Sequence, residues 1–163
     1  MSDVWGVLGI APEGASVTFE RRYAVAPDDL WSAVTAPERI ARWLGPVYGE
    51  LRPGGRYELR MGDDLPGADQ NAAGDVVACD PPHRFEVTWL FPGETQTRVE
   101  VTIDEEPGGS LLRLVHSGLE ESGARGYGGG WHASLDQLGD HVAGVPVRDW
   151  QEAFEAALPH YRG

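Results

Sequence analysis

Cysteine is almost missing from this chain: Cys79 is the only one in 163 residues. One thiol excludes an internal disulfide and any thiolate-rich metal site, and it suits a reducing compartment. Basic residues are scarce as well, 13 Lys and Arg against 26 Asp and Glu, for a formal charge of −13. That field repels phosphate backbones and anionic lipid surfaces, so nucleic acid is not an expected partner and the surplus acids read as a solvated shell. No stretch approaches the roughly 20 apolar residues of a membrane span. Met1 to Ala15 has neither the basic start nor the continuous apolar core of a secretory signal. A cytoplasmic location without membrane insertion is the expectation.

Signature chemistry is equally sparse. HExxH, His-x-His and Cys-rich spacings are absent. His132 and His141, nine apart on a helix, would lie about 13 Å apart along its axis and cannot share a metal by themselves. There is no G-x-S-x-G elbow, and Cys79, followed by Asp80-Pro81-Pro82, has no sequence-local activating partner, so it reads as a small buried thiol. The run GYGGGWH from Gly126 lacks the Lys and Ser/Thr of a phosphate loop and follows no parallel strand. Its small residues read instead as letting a helix start close to a sheet, or as a movable lid. Neither a metal nor a cofactor is expected.

What the chain does have is punctuation and alternation. Its 22 Gly and 12 Pro imply many turns, and its length is that of one domain. Residues 1–15 form an extension without motif that packs loosely or pairs at an edge. From Ser16 to Val25, Val17, Phe19, Tyr23 and Val25 share one side, the period of a strand. Pro27, Asp28 and Asp29 open a helix carrying Leu30, Trp31 and Val34; Pro37 restarts a second, with Ile40, Trp43 and Leu44 as its buried side and Gly45-Pro46 as its stop. Strand patterns follow at Arg56–Met61, Asp75–Cys79, Phe85–Phe91, Val99–Ile103 and Leu111–His116, separated by turn signals, with a polar, Gly-rich segment from Gly62 to Ala73. They predict an antiparallel meander with one covered face. Tyr127, Trp131, Leu135, Leu138 and Val142 then recur at helical spacing over about 17 residues, long enough to lie across five or six strands. After Gly144-Val145-Pro146 a shorter helix carrying Val147, Trp150, Phe154 and Leu158 docks on the same body.

Five segments stand in a telling order: AVAPDDLWSAVTAPERIARWLGP after a strand, RPGGRYELR, GDVVACDPPHRFEVTWLF, TRVEVTIDEEPGGSLLRLVHSGL and GGGWHASLDQLGDHV. Over residues 16–143 the chain resembles the SRPBCC (START-like, Bet v 1-like) superfamily, in the branch named after the activator of heat-shock-protein-90 ATPase. The likeness is to bacterial single-domain members, not to the eukaryotic co-chaperone. The resemblance implies an α+β helix-grip fold, a curved antiparallel sheet wrapped around a long carboxy-terminal helix, with a cavity between them. Residues 1–15 would be an extension of that domain, and 144–163 a helical tail packed on it.

Parity and the implied cavity together nominate ligand-binding residues. They are Tyr57, Leu59 and Met61 on one strand, Phe85, Val87, Trp89 and Phe91 on another, and Trp131 and Leu135 on the helix; Trp31 and Trp43 are assigned to packing around the short helices. An apolar pocket with few polar groups is the usual form of a small-molecule site. Arg21 shares the parity of Val17, Phe19 and Tyr23. Either a bulge turns it outward, or it meets an internal carboxylate, or it recognises a ligand anion. His132, Asp136 and Asp140 recur every four residues and read as a solvated face or a polar cavity wall. The expected function is binding of an apolar or aromatic small molecule, a lipid or secondary metabolite. Two alternatives remain open: a cofactor-independent aromatase- or cyclase-like enzyme using His116, His132 or Arg21, and a stress-related, co-chaperone-like module with a protein partner.

Overall fold

Period-two alternation makes most of the chain extended, and eight strands result. The computed structural model describes residues 4–162. Strand β1 (Val7–Ala11) turns through Pro12 and Glu13 into β2 (Gly14–Tyr23). Helices α1 (Pro27–Thr35) and α2 (Pro37–Trp43) follow, each with a proline in its first turn, where the missing N–H has no helical partner to lose. Pro37 also holds Ala36 extended, at φ −80° and ψ 121°, which separates the two helices. Strands β3 (Val47–Gly49), β4 (Arg56–Arg60), β5 (Asn71–Asp80), β6 (Arg84–Trp89), β7 (Thr97–Glu106) and β8 (Gly109–Leu119) lead to α3 (Glu121–Val142) and α4 (Trp150–Arg162).

The strands form one sheet of order β1-β2-β8-β7-β6-β5-β4-β3. From β3 to β8 the chain meanders, and β2 then pairs antiparallel with β8, Phe19 opposite Leu114 and Arg21 opposite Leu112. Register shifts between Ala15 and Val17 and between Val76 and Ala78 help to bend the sheet. Its inward residues, among them Val17, Phe19, Val101, Ile103 and Leu112, share one core with Trp131, Leu135 and Leu138 of α3. This is the α+β helix-grip fold, a curved antiparallel sheet wrapped around a long helix. No helix among the described residues is long and apolar enough to cross a membrane.

Several boundaries differ from the sequence reading. Residues 7–11 of the extension are a strand on the sheet edge, and β2 starts at Gly14 and stops at Tyr23; residues 1–3 lie outside the described residues. β3 is too short to show a period, and β5 begins at Asn71, inside the segment that reads as a polar loop. Helix α3 has 22 residues and begins at Glu121, ahead of the glycines. A Cβ on Gly128 would lie 2.6 Å from the Tyr161 ring, and one on Gly129 3.0 Å from Leu158. The glycines thus seat α4 on α3 instead of bringing a helix start to the sheet. Each costs α3 about 1 kcal/mol of helix propensity, offset by the contact with α4. Tyr161, only 1% exposed, is the anchor that sequence periodicity missed. Its Oη accepts the Gly6 N–H at 2.8 Å, and its carbonyl accepts Arg125 Nη1 at 3.0 Å.

Candidate functional site: an apolar cavity under the long helix

Between the sheet and the three helices α1, α2 and α3 lies a cavity of about 110 Å³. Strands β4 and β6 supply Tyr57, Leu59, Phe85, Val87 and Trp89, β7 supplies Val99 and Val101, and α3 supplies Trp131. The short helices close one side with Val34, Ile40, Trp43 and Leu44. Near the β5–β6 turn the half-buried Cys79 and Phe85 reach the wall. Phe85 meets Trp31 of α1 edge-on, ring centroids 5.8 Å apart.

Every aromatic side chain of this wall that carries a polar atom turns that atom away and satisfies it. Trp43 Nε1 donates to the Ala33 carbonyl at 2.8 Å, and Tyr57 Oη to the Thr88 carbonyl at 2.7 Å. Trp89 Nε1 donates to Tyr127 Oη at 2.9 Å, and that hydroxyl donates to Glu94 Oε1 at 2.7 Å. Trp131 Nε1 donates to His116 Nδ1 at 3.0 Å. An indole nitrogen can only donate, so Nδ1 carries no proton and the neutral imidazole carries it on Nε2. That Nε2–H is donated to Thr97 Oγ1 at 2.7 Å, and the Thr97 hydroxyl is donated to the Trp89 carbonyl at 3.2 Å. The direction of each hydrogen bond follows from the indole at the start of the chain.

Burial is what tunes this site. It pushes His116, wholly enclosed, down to about 3, so the ring stays neutral. Burial also raises Tyr57, and it raises Tyr127 with help from the Glu94 hydrogen bond. The Cys79 thiol is raised by burial and then by Asp80, away from thiolate chemistry. Among the described residues no three His, Cys, Asp or Glu side chains converge on a common point suited to a metal.

Of the ten nominated residues, Tyr57, Leu59, Phe85, Val87, Trp89 and Trp131 line the cavity. The other four do not. Met61 follows the end of β4 and is 36% exposed, because the strand stops at Arg60. Phe91 lies beyond the last residue of β6 and packs against the edge of the core. Leu135, one turn after Trp131, is buried in the core outside the lining. Arg21 faces inward as its parity requires, with no bulge at its position, but it meets α3 elsewhere. The sequence reading left out Trp43, which lines the cavity while also packing the short helices, and Val99 and Val101, whose alternation was visible without any sign of what they faced.

Arg21 belongs to a polar seam between β2, α3 and the first described residues. Its Nη1 donates to Asp136 Oδ1 at 2.8 Å and its Nε to the Val4 carbonyl at 2.9 Å. His132, 7% exposed, meets Tyr161 Oη through Nδ1 at 2.9 Å, and its Nε2 lies 3.6 Å from Asp136. Asp140 holds Arg148 through two hydrogen bonds from its guanidinium, at 2.8 and 2.9 Å. Of the three residues at four-residue spacing, His132 and Asp136 line a second, open pocket of about 310 Å³ between Trp5, α3 and α4, apart from the apolar cavity, while Asp140 is tied to Arg148. Replacing Arg21 by Met should cost about 3 kcal/mol, because Asp136 keeps only the looser Arg148 and His132 contacts. Arg21→Met with Asp136→Leu should recover most of that in urea denaturation; equal losses in the single and double variants would contradict the pairing.

The comparisons with known proteins agree with this architecture. Residues 24–143 match the family described as Activator of Hsp90 ATPase homolog 1-like protein. The crystal structure of CalU16 from Micromonospora echinospora superposes with a TM-score of 0.79 at 32% identity, over 96% of this chain and 94% of that one. MLL2253 from Mesorhizobium loti gives 0.68 at 26% identity, over 78% of this chain and 96% of that one. DynU16, a protein of the dynemicin biosynthetic locus, shares the fold with a TM-score of 0.74 at 23% identity, over 82% of this chain and 49% of its own length. Among functionally curated proteins, none matches significantly. The match over residues 24–143 and the helix-grip architecture together make the chain a member of the Activator of Hsp90 ATPase homolog 1-like family, within the SRPBCC superfamily.

Proposed function

We propose that this protein binds an apolar or aromatic small molecule, a lipid or a secondary metabolite, in the cavity between the sheet and α3. The observation that carries this reading is the outward satisfaction of Trp43, Tyr57, Trp89 and Trp131, which leaves carbon facing inward. A ligand group buried there need offer no hydrogen bond. An engineered apolar cavity of about 150 Å³ takes up benzene, so about 110 Å³ suits a single ring or a short alkyl segment. Aromatase- or cyclase-like turnover draws no comparable support, because both His116 nitrogens are engaged and Arg21 and His132 sit in the seam. A co-chaperone-like role rests on the family name. The binding reading requires no cofactor.

Mass spectra of the purified protein under native and denaturing conditions test the proposal, before and after incubation with single-ring hydrocarbons. The native spectrum should carry a small molecule that denaturation releases. Val101→Phe, which projects a ring into the cavity from β7, should fold and lose it, with overpacking limited to about 1–3 kcal/mol. A wild-type protein that takes up nothing, or a folded Val101→Phe protein that holds the same molecule, would refute binding at this site.

A further inference from the structure

The sheet ends in two edges of different character. β3 is three residues long and follows Pro46. Brevity and an adjacent proline are ordinary protections against the addition of another strand. β1, at the opposite edge, is VLGIA, five residues with no charge and no proline, and exposed at four of the five. Val7 is 65% and Ile10 57% exposed. Residues 4–12 carry no charged side chain in a protein of net charge −13. Among the described residues this edge carries no charged side chain, inward or outward, the other usual protection.

The strand is also complementary to itself. Turned antiparallel about Gly9, Val7 falls opposite Ala11 of a second copy, Leu8 opposite Ile10, and Gly9 opposite its own counterpart. Leu8 packs against the core, so the Leu8–Ile10 pairs extend the inner face and the Val7–Ala11 pairs the outer one. Pro12 ends the ladder on each side. We infer that β1 is a self-association edge: two copies of this chain pair β1 to β1 across a two-fold axis at Gly9, joining their sheets into one. An isologous contact of this kind is closed by its own symmetry and stops at the dimer. Two bodies of charge −13 repel at long range, so the pairing tightens as salt screens them.

Sedimentation equilibrium reads this directly. The wild-type mass should rise from 17.7 kDa toward twice that value between about 10 μM and about 1 mM protein, the range suited to a small interface. The midpoint should fall at least severalfold between about 0.05 and about 0.5 M NaCl. Val7→Lys and Ile10→Lys, at exposed positions, should keep the wild-type melting temperature and stay monomeric throughout. Hydrogen exchange should show amides of residues 7–11 gaining protection with concentration. A wild-type protein that stays at 17.7 kDa, a dimer that persists in both lysine variants, or one that weakens with salt would overturn the inference.

Discussion

Lowering the pH from 7 to 4 is expected to remove about 3 kcal/mol of folding stability through His116 alone. In the folded protein burial holds this ring down to about 3, against about 6.5 in an unfolded chain. Below pH 6.5 the unfolded state takes up a proton that the folded state refuses, so stability falls steadily toward pH 3 and levels off only below it, after a loss of about 5 kcal/mol. Above pH 6.5 the group contributes no pH dependence. His132, lowered to about 4 first by burial and then by Arg21, adds a loss of the same sign over much of the same window. Typical domains have only about 5–15 kcal/mol in total, so acid unfolding should begin well above the carboxylate range. Urea denaturation at pH 7, 5 and 4 measures the slope, and His116→Gln isolates its cause. Glutamine can still accept from Trp131 and donate to Thr97, but it does not titrate. A slope unchanged in His116→Gln would contradict the assignment.

Trp131→Ala should cost about 3–5 kcal/mol and abolish ligand uptake in whatever fraction remains folded. The indole is 6% exposed, lies 5.5 Å from Trp89 between ring centroids, and is the donor that His116 Nδ1 accepts. Truncation would remove a wall of the cavity and leave a buried acceptor without its donor. Trp131→Phe should lose about 1–3 kcal/mol, since the ring body stays and the hydrogen bond does not. Leu135→Ala is the control that separates packing from binding. It lies one turn further on, 1% exposed and outside the lining, so it should lose about 2–5 kcal/mol and still take up ligand when folded. Equal stability of Trp131→Phe and wild type would remove the His116 chain from the account. Lost uptake in Leu135→Ala would show that the cavity wall extends beyond the residues assigned to it.

The legible parts of this molecule were those set by local periodicity. Alternation in β2, β4, β6, β7 and β8, and the spacing of Trp131, Leu135 and Leu138, expose which side of each element is apolar, and their order along the chain carries the resemblance. Six of ten nominated pocket residues reach the cavity because parity within a strand fixes the face. What parity cannot give is where a strand stops or which part of the inner face lies over a void. Met61 and Phe91 continue the right period past the ends of β4 and β6, and Leu135 shares the helix face of Trp131 at a place where the core is filled. Trp43 belongs to a helix whose apolar side must be buried somewhere, and only the tertiary arrangement turns it toward the cavity. The roles of His116, Arg21 and Tyr161 depend on partners 15 to 155 residues away, such as Trp131 for His116 and Gly6 for Tyr161, beyond any local signal. The glycines from Gly128 to Gly130 gave a visible cue, small residues on a helix face, but not that the element they admit is α4.

The most direct test of the central claim is a methyl NMR titration with toluene, a single-ring hydrocarbon matched to the cavity. Saturable shifts are expected at Val34, Val87, Val101 and Leu114, with the exposed Val145 and Val147, which are not part of the lining, unmoved. The Val101→Phe protein should show none. An absence of shifts in the wild type up to the solubility limit, or shifts confined to β1 and α4, would contradict that claim.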